Sequence, residues 1–151
     1  MKGLTIMIGL LLAWSGAAAQ QHAPVDKAAR QTSAEQVQQA LGKNTKMLVI
    51  DVRSAQEFAA GHIPGAVNIP IEELARKVKE MKIGKDTTLV TVCEHGGRSS
   101  RAAVELQKLG YHTVSYCRLD DWRKCGYQTV SGDAKPHAAI DVHKSMGEQG
   151  E

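Results

Sequence analysis

Residues 87–106, "TTLVTVCEHGGRSSRAAVEL", join a strand pattern to a helical pattern through a glycine-rich loop. The first six residues of this stretch are rich in β-branched side chains, which favour strands. The helical pattern covers residues 99–109, and Gly110 follows it as a typical residue just past a helix end. Cys93 stands where the strand pattern stops. The placement of a thiol at this point bears on both the fold and the function.

Further strand and helix patterns alternate on either side of this stretch. Residues 47–52, "MLVIDV", form an apolar run typical of a buried parallel strand. Alternation of strands and helices predicts an α/β fold with an open parallel sheet covered by helices on both faces. Ligands of such sheets bind beyond the carboxyl ends of the strands, where Cys93 is predicted to lie. The other predicted strands are residues 66–69 and 112–117, and the other predicted helices are residues 32–42, 71–81 and 119–125.

The first nineteen residues have the layout of a secretory signal peptide. Lys2 precedes an apolar stretch over residues 4–14, and three alanines at residues 17–19 offer a cleavage site. The apolar stretch is shorter than the ~20 residues that span a bilayer, although a retained membrane anchor is the alternative interpretation. Cleavage would leave 151 − 19 = 132 residues, enough for one domain. We therefore expect a periplasmic or secreted protein that has no membrane contact after cleavage.

The mature chain is expected to have three parts. Residues 20–31 read as a polar leader, residues 32–130 as the folded domain, and residues 131–151 as a polar, disordered tail. The formal net charge of +3 would become +2 after cleavage, because Lys2 is the single charged residue removed. Such a small surplus does not predict binding to nucleic acid. No histidine or cysteine cluster has the spacing of a metal site, so neither a metal nor a cofactor is predicted.

Three cysteines remain after the signal segment, Cys93, Cys117 and Cys125. Exported proteins in an oxidising compartment tend to pair their thiols, and an odd number leaves one thiol over. One interpretation is a Cys117–Cys125 disulfide that leaves Cys93 free. The other is three reduced thiols, two of which pack as small apolar side chains. Only the geometry of the fold can decide between the two.

The loop after Cys93 has the composition of an anion-binding site. Glycines allow consecutive backbone N–H groups to turn inward, and a helix N-terminus beside them adds partial positive charge. A thiol in that position is expected to be held largely as the thiolate, at a point that a substrate can reach. The same cradle would bind an anionic substrate or a negative sulfur atom carried by the thiol, with Arg98 and Ser99 as further donors. The predicted cradle consists of Glu94, His95, Gly96, Gly97, Arg98 and Ser99.

Two segments resemble the signatures of single-domain rhodaneses, specifically of the exported bacterial kind. They are residues 49–70, "VIDVRSAQEFAAGHIPGAVNIP", and residues 90–111, "VTVCEHGGRSSRAAVELQKLGY". The resemblance extends over roughly residues 33–130 and implies a five-stranded parallel sheet flanked by helices. It also implies that Cys93 takes a sulfane sulfur from a donor, becomes a persulfide, and passes the sulfur to cyanide or to a thiol.

The upstream segment is expected to support the site rather than to react. Asp51 ends a buried strand and must be hydrogen-bonded, because an unpaired buried carboxylate is costly. We expect its partner to be loop backbone near the active site. Arg53 and Glu57 are four residues apart and are expected to form an ion pair.

Two features depart from the family pattern. Glu94 stands where many thiosulfate-using members carry a basic residue, and a carboxylate beside the thiol weakens an anion cradle. A thiol-borne persulfide is therefore favoured as donor over thiosulfate. In addition, "SYCRLDDW" at residues 115–122 lacks the glycine pair that usually follows the last strand, and Asp120 and Asp121 occupy that turn.

The leading functional prediction is a sulfurtransferase that acts through a Cys93 persulfide. Its donor would be a small sulfur anion such as thiosulfate or a thiol-borne persulfide, and its acceptor cyanide, a small thiol or a protein thiol. The first alternative is a persulfide carrier or partner-binding module without turnover. Less favoured alternatives are a thiol-disulfide protein and a cysteine phosphatase, since related phosphatases have one more residue between the cysteine and the arginine.

Overall fold

The computed structural model describes residues 28–43 and 45–132. The predicted signal peptide, most of the predicted leader and most of the predicted tail lie outside these residues. The described part is organised around one five-stranded sheet in which every pairing is parallel. The strand order is β1-β5-β4-β2-β3. The strands are β1 Arg30–Gln31, β2 Met47–Asp51, β3 Val67–Asn68, β4 Thr88–Cys93 and β5 Val114–Arg118.

Helices cover both faces of this sheet, so the predicted α/β fold is confirmed. Side chains of α3 and α4 form one apolar core with the sheet, and those of α1, α2 and α5 form the other. No helix among the described residues has the length and apolar character needed to cross a membrane. The helix predicted over residues 71–81 begins as a 3-10 turn, Ile71–Glu73. The α-helices are α1 Ala34–Gly42, α2 Ala55–Ala60, α3 Leu74–Glu80, α4 Gly97–Lys108 and α5 Leu119–Lys124.

The sheet begins inside the segment that was predicted to be a polar leader. Arg30 and Gln31 pair with Ser115 and Tyr116 and form the edge strand β1. Both side chains of β1 are exposed, so no apolar alternation marks this strand in the sequence. The boundary predicted between leader and domain at residue 31 is therefore wrong by these two residues.

The other end of the domain also lies beyond its predicted boundary at residue 130. Val130 and His62 exchange backbone hydrogen bonds of 3.0 and 2.9 Å. The N–H of Gly132 donates to the carbonyl oxygen of Ala59 at 2.9 Å, which fastens the first residues of the predicted tail to α2.

Strand β4 directs the thiol of Cys93 towards α4. This strand pairs with β2 on one side and β5 on the other, so it lies in the middle of the sheet. Successive side chains of a strand point to opposite faces. Leu89 and Cys93 accordingly belong to the core under α3 and α4, whereas Val90 and Val92 belong to the opposite core. The alternation of side chains along β4 therefore places Cys93 on the face of the sheet that α3 and α4 cover.

Candidate active site

Cys93 is the last residue of β4 and lies at the carboxyl edge of the sheet. Its Sγ accepts hydrogen bonds from the backbone N–H of Gly96 at 3.2 Å and from that of Ser99 at 3.3 Å. Ser99 Oγ lies 3.3 Å from the same sulfur. The inward-facing amides predicted from the sequence are therefore present at two positions of the loop.

The conformation of Gly96 makes this arrangement possible. Its φ of +94° lies in the left-handed region, where a side chain is strained. A Cβ at this position would lie 3.3 Å from both Tyr116 Cε2 and Arg118 Cγ. Gly96 directly precedes α4, and no side chain caps the helix. Amides that a capping side chain would otherwise occupy are thus directed at the sulfur.

Ser99 provides an adjustable contact. Its hydroxyl donates to the carbonyl oxygen of Gly96 at 3.2 Å, while the thiol of Cys93 donates to the Ser99 oxygen. A hydroxyl can rotate, so it can donate to the sulfur instead once the thiol loses its proton. The backbone of Ser99 is fixed by the hydroxyl of Thr91, which donates to the Ser99 carbonyl oxygen at 2.8 Å. A charged sulfur would therefore have three donors.

The sulfur is almost completely covered. Cys93 is 2% exposed and Ser99 is fully buried. The expectation that a substrate can reach the thiol directly is therefore wrong for the conformation described. In the loop that follows Cys93, the Glu94 side chain is 28% exposed and that of His95 is 77% exposed. We call this loop, residues 94–99, the rim; a donor can reach the sulfur only if groups around it move.

The guanidinium of Arg98 is paired with a carboxylate in the conformation described. Its guanidinium donates to both carboxylate oxygens of Glu57, at 2.8 and 2.6 Å, and so joins α4 to α2. The hydrogen bond from Arg98 lowers the pKa of Glu57 to about 2 against the opposing effect of desolvation. The same contact raises the pKa of Arg98. The ion pair predicted between Arg53 and Glu57 is therefore wrong.

Arg53 pairs instead with Asp51. Its backbone N–H, Nε and Nη2 donate to the carboxylate of Asp51 at 2.7 to 3.1 Å, and both side chains are buried. Nη2 also donates to the carbonyl oxygen of Gly61 at 2.7 Å. Asp51 is thus hydrogen-bonded both by loop backbone, through the N–H of Arg53, and by the side chain of the same arginine. Arg53 Nη1, 3.5 Å from Glu94 Oε2, connects this buried pair to the loop.

Glu94 is paired with two arginines. Arg123 of α5 contacts Glu94 Oε1, while Arg53 faces Oε2. The carbonyl oxygen of Glu94 also accepts the N–H of Asp120 at 3.2 Å, so α5 is attached to the loop by backbone and by side chain. Arg123 was not identified from the sequence, because it is 29 residues away and no local pattern links it to the loop.

His95 lies at the outer side of the loop. Its Nδ1 is 3.5 Å from Asp120 Oδ2. Arg118 donates to the Asp120 carboxylate at 3.0 and 2.6 Å, and this contact lowers the pKa of Asp120. Of the predicted cradle residues, Gly96 and Ser99 are those whose described atoms contact the sulfur.

Cys117 and Cys125 are separate thiols, so the disulfide considered for them is not formed. Cys117 is buried in the core on the other face of the sheet, and burial raises its pKa to about 11. Cys125 is exposed, and its Sγ donates to Glu35 Oε1 at 2.9 Å. This hydrogen bond raises the pKa of Cys125.

Within residues 28–43 and 45–132, no group of three or more metal-binding side chains is arranged to hold a metal.

In this protein a cysteine at the carboxyl end of a parallel strand faces the uncapped N-terminus of the next helix. This arrangement is that of α/β proteins that hold a thiol in an anion cradle. The rhodanese-like domain family matches residues 33–120, and the chain belongs to this family. The matched range contains both segments on which the resemblance was based. It also contains every residue whose contact with the Cys93 sulfur is described above.

Two relatives and one solved structure illustrate the similarity. The chain is 31% identical to a sulfurtransferase of Allochromatium vinosum over 99 residues, which cover 64% of this chain and 91% of that one. It is 32% identical to the thiosulfate sulfurtransferase PspE of Escherichia coli over 65 residues, 43% of this chain and 62% of that one. A rhodanese-related protein from Thermoplasma volcanium superposes with a TM-score of 0.58 at 30% identity, covering 67% of this chain and 97% of that one.

Other relatives are considerably longer than the region they share with this chain. The match spans 43% of the Bacillus subtilis protein YrkF, whose name proposes a sulfur-carrier role, and 50% of the Bacillus subtilis protein YqhL. Family membership therefore includes both sulfurtransferases and a proposed carrier.

Proposed function

We propose that the protein is a sulfurtransferase that works through a persulfide on Cys93. The observation that supports it most is the convergence of two backbone amides and one hydroxyl on the Cys93 sulfur. A buried structural cysteine needs no such donors, whereas a thiolate does. Helix α4 adds the partial positive charge of its N-terminus at the same point.

The reaction would have two displacement steps. In the first, the Cys93 thiolate attacks the outer sulfur of the donor, and the donor's sulfur–sulfur bond breaks. Sulfite leaves with the bonding electron pair when the donor is thiosulfate, and a thiolate leaves when the donor is a thiol-borne persulfide. In the second step, cyanide or an acceptor thiolate attacks the outer sulfur of the Cys93 persulfide. Thiocyanate or a new persulfide forms, and the Cys93 thiolate is restored.

Burial of the sulfur sets a condition on this mechanism. With Cys93 only 2% exposed, the donor must displace part of the rim before the first step. His95 belongs to the loop that follows Cys93, and its side chain is 77% exposed. We expect the rate of persulfide formation to depend on this opening. A sulfur that never becomes accessible would exclude the transferase.

Intact-mass spectrometry after incubation with thiosulfate, and separately with a small thiol persulfide, tests the proposal. The wild-type protein should gain about 32 Da, one sulfur atom, which is the change expected for a persulfide. Cys93→Ser should not gain this mass. Cys125→Ser is the matched control, because it removes an exposed thiol outside the cradle, and it should gain the mass as the wild type does. Failure of every donor, or an adduct that follows Cys125, contradicts the proposal.

The second candidate is a sulfur carrier without rapid turnover. The near-complete coverage of Cys93 favours it, because a covered persulfide is protected from acceptors. Incubation of the isolated persulfide form with cyanide distinguishes the two functions. A transferase should release thiocyanate faster than the persulfide of a free small thiol does, whereas a carrier should release it more slowly.

The partners and the location of the protein are part of the same proposal. Its small-molecule partners would be sulfur-donor anions and low-molecular-weight thiols, with a protein thiol as a possible acceptor. The predicted signal peptide supports a periplasmic or secreted protein. Fractionation of cells expressing the full chain tests this location, and recovery of the uncleaved chain in the cytoplasm would contradict it.

A further inference from the structure

A groove with a volume of about 440 Å³ lies between α1 and the amino ends of β4 and β5. Thr88, the first residue of β4, lines this groove, whereas Cys93 is the last residue of the same strand. At ~3.3 Å per residue, the two positions are about 16 Å apart along the strand. Sites for small organic molecules have volumes of about 300–1,000 Å³, so the groove is large enough for one. It is separate from the cradle around Cys93.

One part of the groove is apolar. Four side chains line this part: Val37, Ala40, Met47 and Val90. Val37 and Val90 are buried in the core under α1, and Met47 packs against that core. The groove therefore exposes an edge of the apolar core, which can cover the apolar body of a ligand.

Gln36 of α1 presents a fixed hydrogen-bond donor in the lining of the groove. Its Oε1 accepts from the Thr32 hydroxyl at 3.0 Å and from the backbone N–H of Ser33 at 3.1 Å. A backbone N–H can only donate, so the contact with Ser33 distinguishes the oxygen of the side-chain amide from its nitrogen. Among the described residues, neither of these contacts nor any other uses Nε2. Both N–H groups of Nε2 are thus available to a ligand.

Further polar groups of the lining can also donate. Thr88 and Ser115 lie two residues before Val90 and Cys117, which belong to the core under α1, so their hydroxyls are on that face of the sheet. The guanidinium of Arg30 adds a positive charge from β1. No aspartate or glutamate is among the described residues that line the groove. An ionised carboxylate accepts hydrogen bonds and donates none, so it matches this set of groups.

We propose that this groove binds a small organic carboxylate with an apolar body. Gln36 Nε2 and the Arg30 guanidinium bind the carboxylate oxygens, and the apolar side chains pack against the rest of the ligand. The site therefore prefers a carboxylate over a neutral amide of the same shape. This proposal is independent of the proposed function, because the groove lies at the opposite edge of the sheet from Cys93.

The test uses cinnamate and cinnamamide, which share one apolar body and differ in the polar group. Binding to the full chain is followed at low ionic strength by nuclear magnetic resonance of isotope-labelled methionine methyl groups. Met47 lines the groove, whereas Met81 packs against the core on the other face of the sheet and serves as the reference. Cinnamate should shift the Met47 signal with a Kd of about 1–5 mM, the affinity expected for a ligand of this size. Cinnamamide should bind about fivefold more weakly.

Gln36→Glu should have the largest effect on this preference. Glutamate keeps the capping box of α1, because its carboxylate can accept from Ser33 as the glutamine oxygen does. It replaces the Nε2 donor by a negative oxygen, so the affinity for cinnamate should fall about tenfold or more, and that for cinnamamide less than about twofold.

Gln39→Glu is the matched control. It introduces the same charge at an exposed position of α1 that is not among the lining residues, and it should change both affinities less than about twofold. Ala40→Phe should fill the groove and weaken both ligands about tenfold or more. Arg30→Gln should weaken cinnamate about threefold and leave cinnamamide unchanged, since Arg30 is exposed.

Three results would overturn the proposal. They are no Met47 shift at cinnamate concentrations well above the expected Kd, equal affinities for cinnamate and cinnamamide, and equal effects of Gln36→Glu and Gln39→Glu. Cys93→Ser should bind cinnamate as the wild type does, so failure of the proposed function leaves this test intact. Urea midpoints establish that each variant is folded, and Arg30→Gln still tests the charge preference if Gln36→Glu or Ala40→Phe is unstable.

Discussion

Two strand-to-helix junctions lie next to each other at the carboxyl edge of the sheet and use their polar groups differently. The strands are neighbours, and Asp51 of β2 is in register with Val92 of β4. At the β2–α2 junction, Ser54 caps the helix in a reciprocal pair of hydrogen bonds with Glu57. At the β4–α4 junction, no side chain caps the helix, and its amides converge on Cys93.

The two helix N-termini therefore differ in what their first amides bind: side chains of the capping box at α2 and the sulfur of Cys93 at α4. The first amides of a helix need partners in both junctions. At α2 the capping box supplies partners for two of these amides from side chains of the junction itself. At α4 the partner is the sulfur of Cys93, which the proposed function requires to carry first a negative charge and then a second sulfur. The contrast leads to three predictions, ordered by the size of the expected effect.

The largest effect should come from breaking the buried pair of the β2–α2 junction. Arg53→Met leaves the buried Asp51 carboxylate without its counter-charge, and such a loss costs about 3–5 kcal/mol. We expect this decrease in the free energy of unfolding in urea at pH 7. The double variant Asp51→Asn/Arg53→Met should recover part of it, because no uncompensated charge remains. A decrease below about 1 kcal/mol for the single variant would show that the pair is not needed for stability.

An intermediate effect is expected at the β4–α4 junction. Gly96→Ala places a Cβ at a left-handed position and against Tyr116 and Arg118, so we expect a loss of about 1–2 kcal/mol of stability. The displaced amides should also lower the rate of persulfide formation about tenfold to a hundredfold, as small misplacements in a site do. The rate is followed by intact mass.

Ser54→Ala is the control for this second prediction, because it disturbs the N-terminus of α2 instead. It should cost about 1 kcal/mol of stability and leave persulfide formation unchanged. A similar loss of rate in both variants would mean that the two junctions do not differ in their chemical role.

The smallest effect concerns the ion pair that links the two junctions. Arg98 lowers the pKa of Glu57 from 4.5 to about 2, so the folded state favours the carboxylate. This stabilisation is present above pH 4.5 and is lost as the pH falls towards 2. Both side chains are more than a third exposed, so the pair should contribute at most about 1 kcal/mol. Urea unfolding should show Glu57→Gln less stable than the wild type at pH 6 and equal to it near pH 2. A constant difference at both pH values would contradict this assignment.

Local patterns predicted most of the secondary structure and the position of Cys93, the candidate nucleophile. The strands near residues 47–52 and 87–92, the helix that follows the loop, and Cys93 between them were all recognised from periodicity, glycine placement and β-branched composition. Strand β1 was missed because its two residues are exposed and carry no apolar signal. Family resemblance, rather than periodicity, supplied the expectation of a fifth strand.

The ionic partners were predicted less well. Pairing of Arg53 with Glu57 assumed that both lie within one helix, but α2 begins only after Ser54. Arg53 therefore stays in the junction, where it can fold back onto Asp51. Glu57 finds its partner in Arg98, 41 residues later, once α2 and α4 are brought together. The contact of Glu94 with Arg123 likewise depends on the docking of α5 against the loop.

The amino-acid sequence by itself determined the alternation of strands and helices, the place of Cys93 at a strand end, and the glycine that its loop requires. These features depend on side chains close together in the chain, so local periodicity is enough to reveal them. The tertiary structure alone decided which cation meets which anion, which amides reach the sulfur, and how completely that sulfur is covered. Those properties depend on distances of a few ångströms between elements far apart in the chain, and strand order and helix docking set such distances.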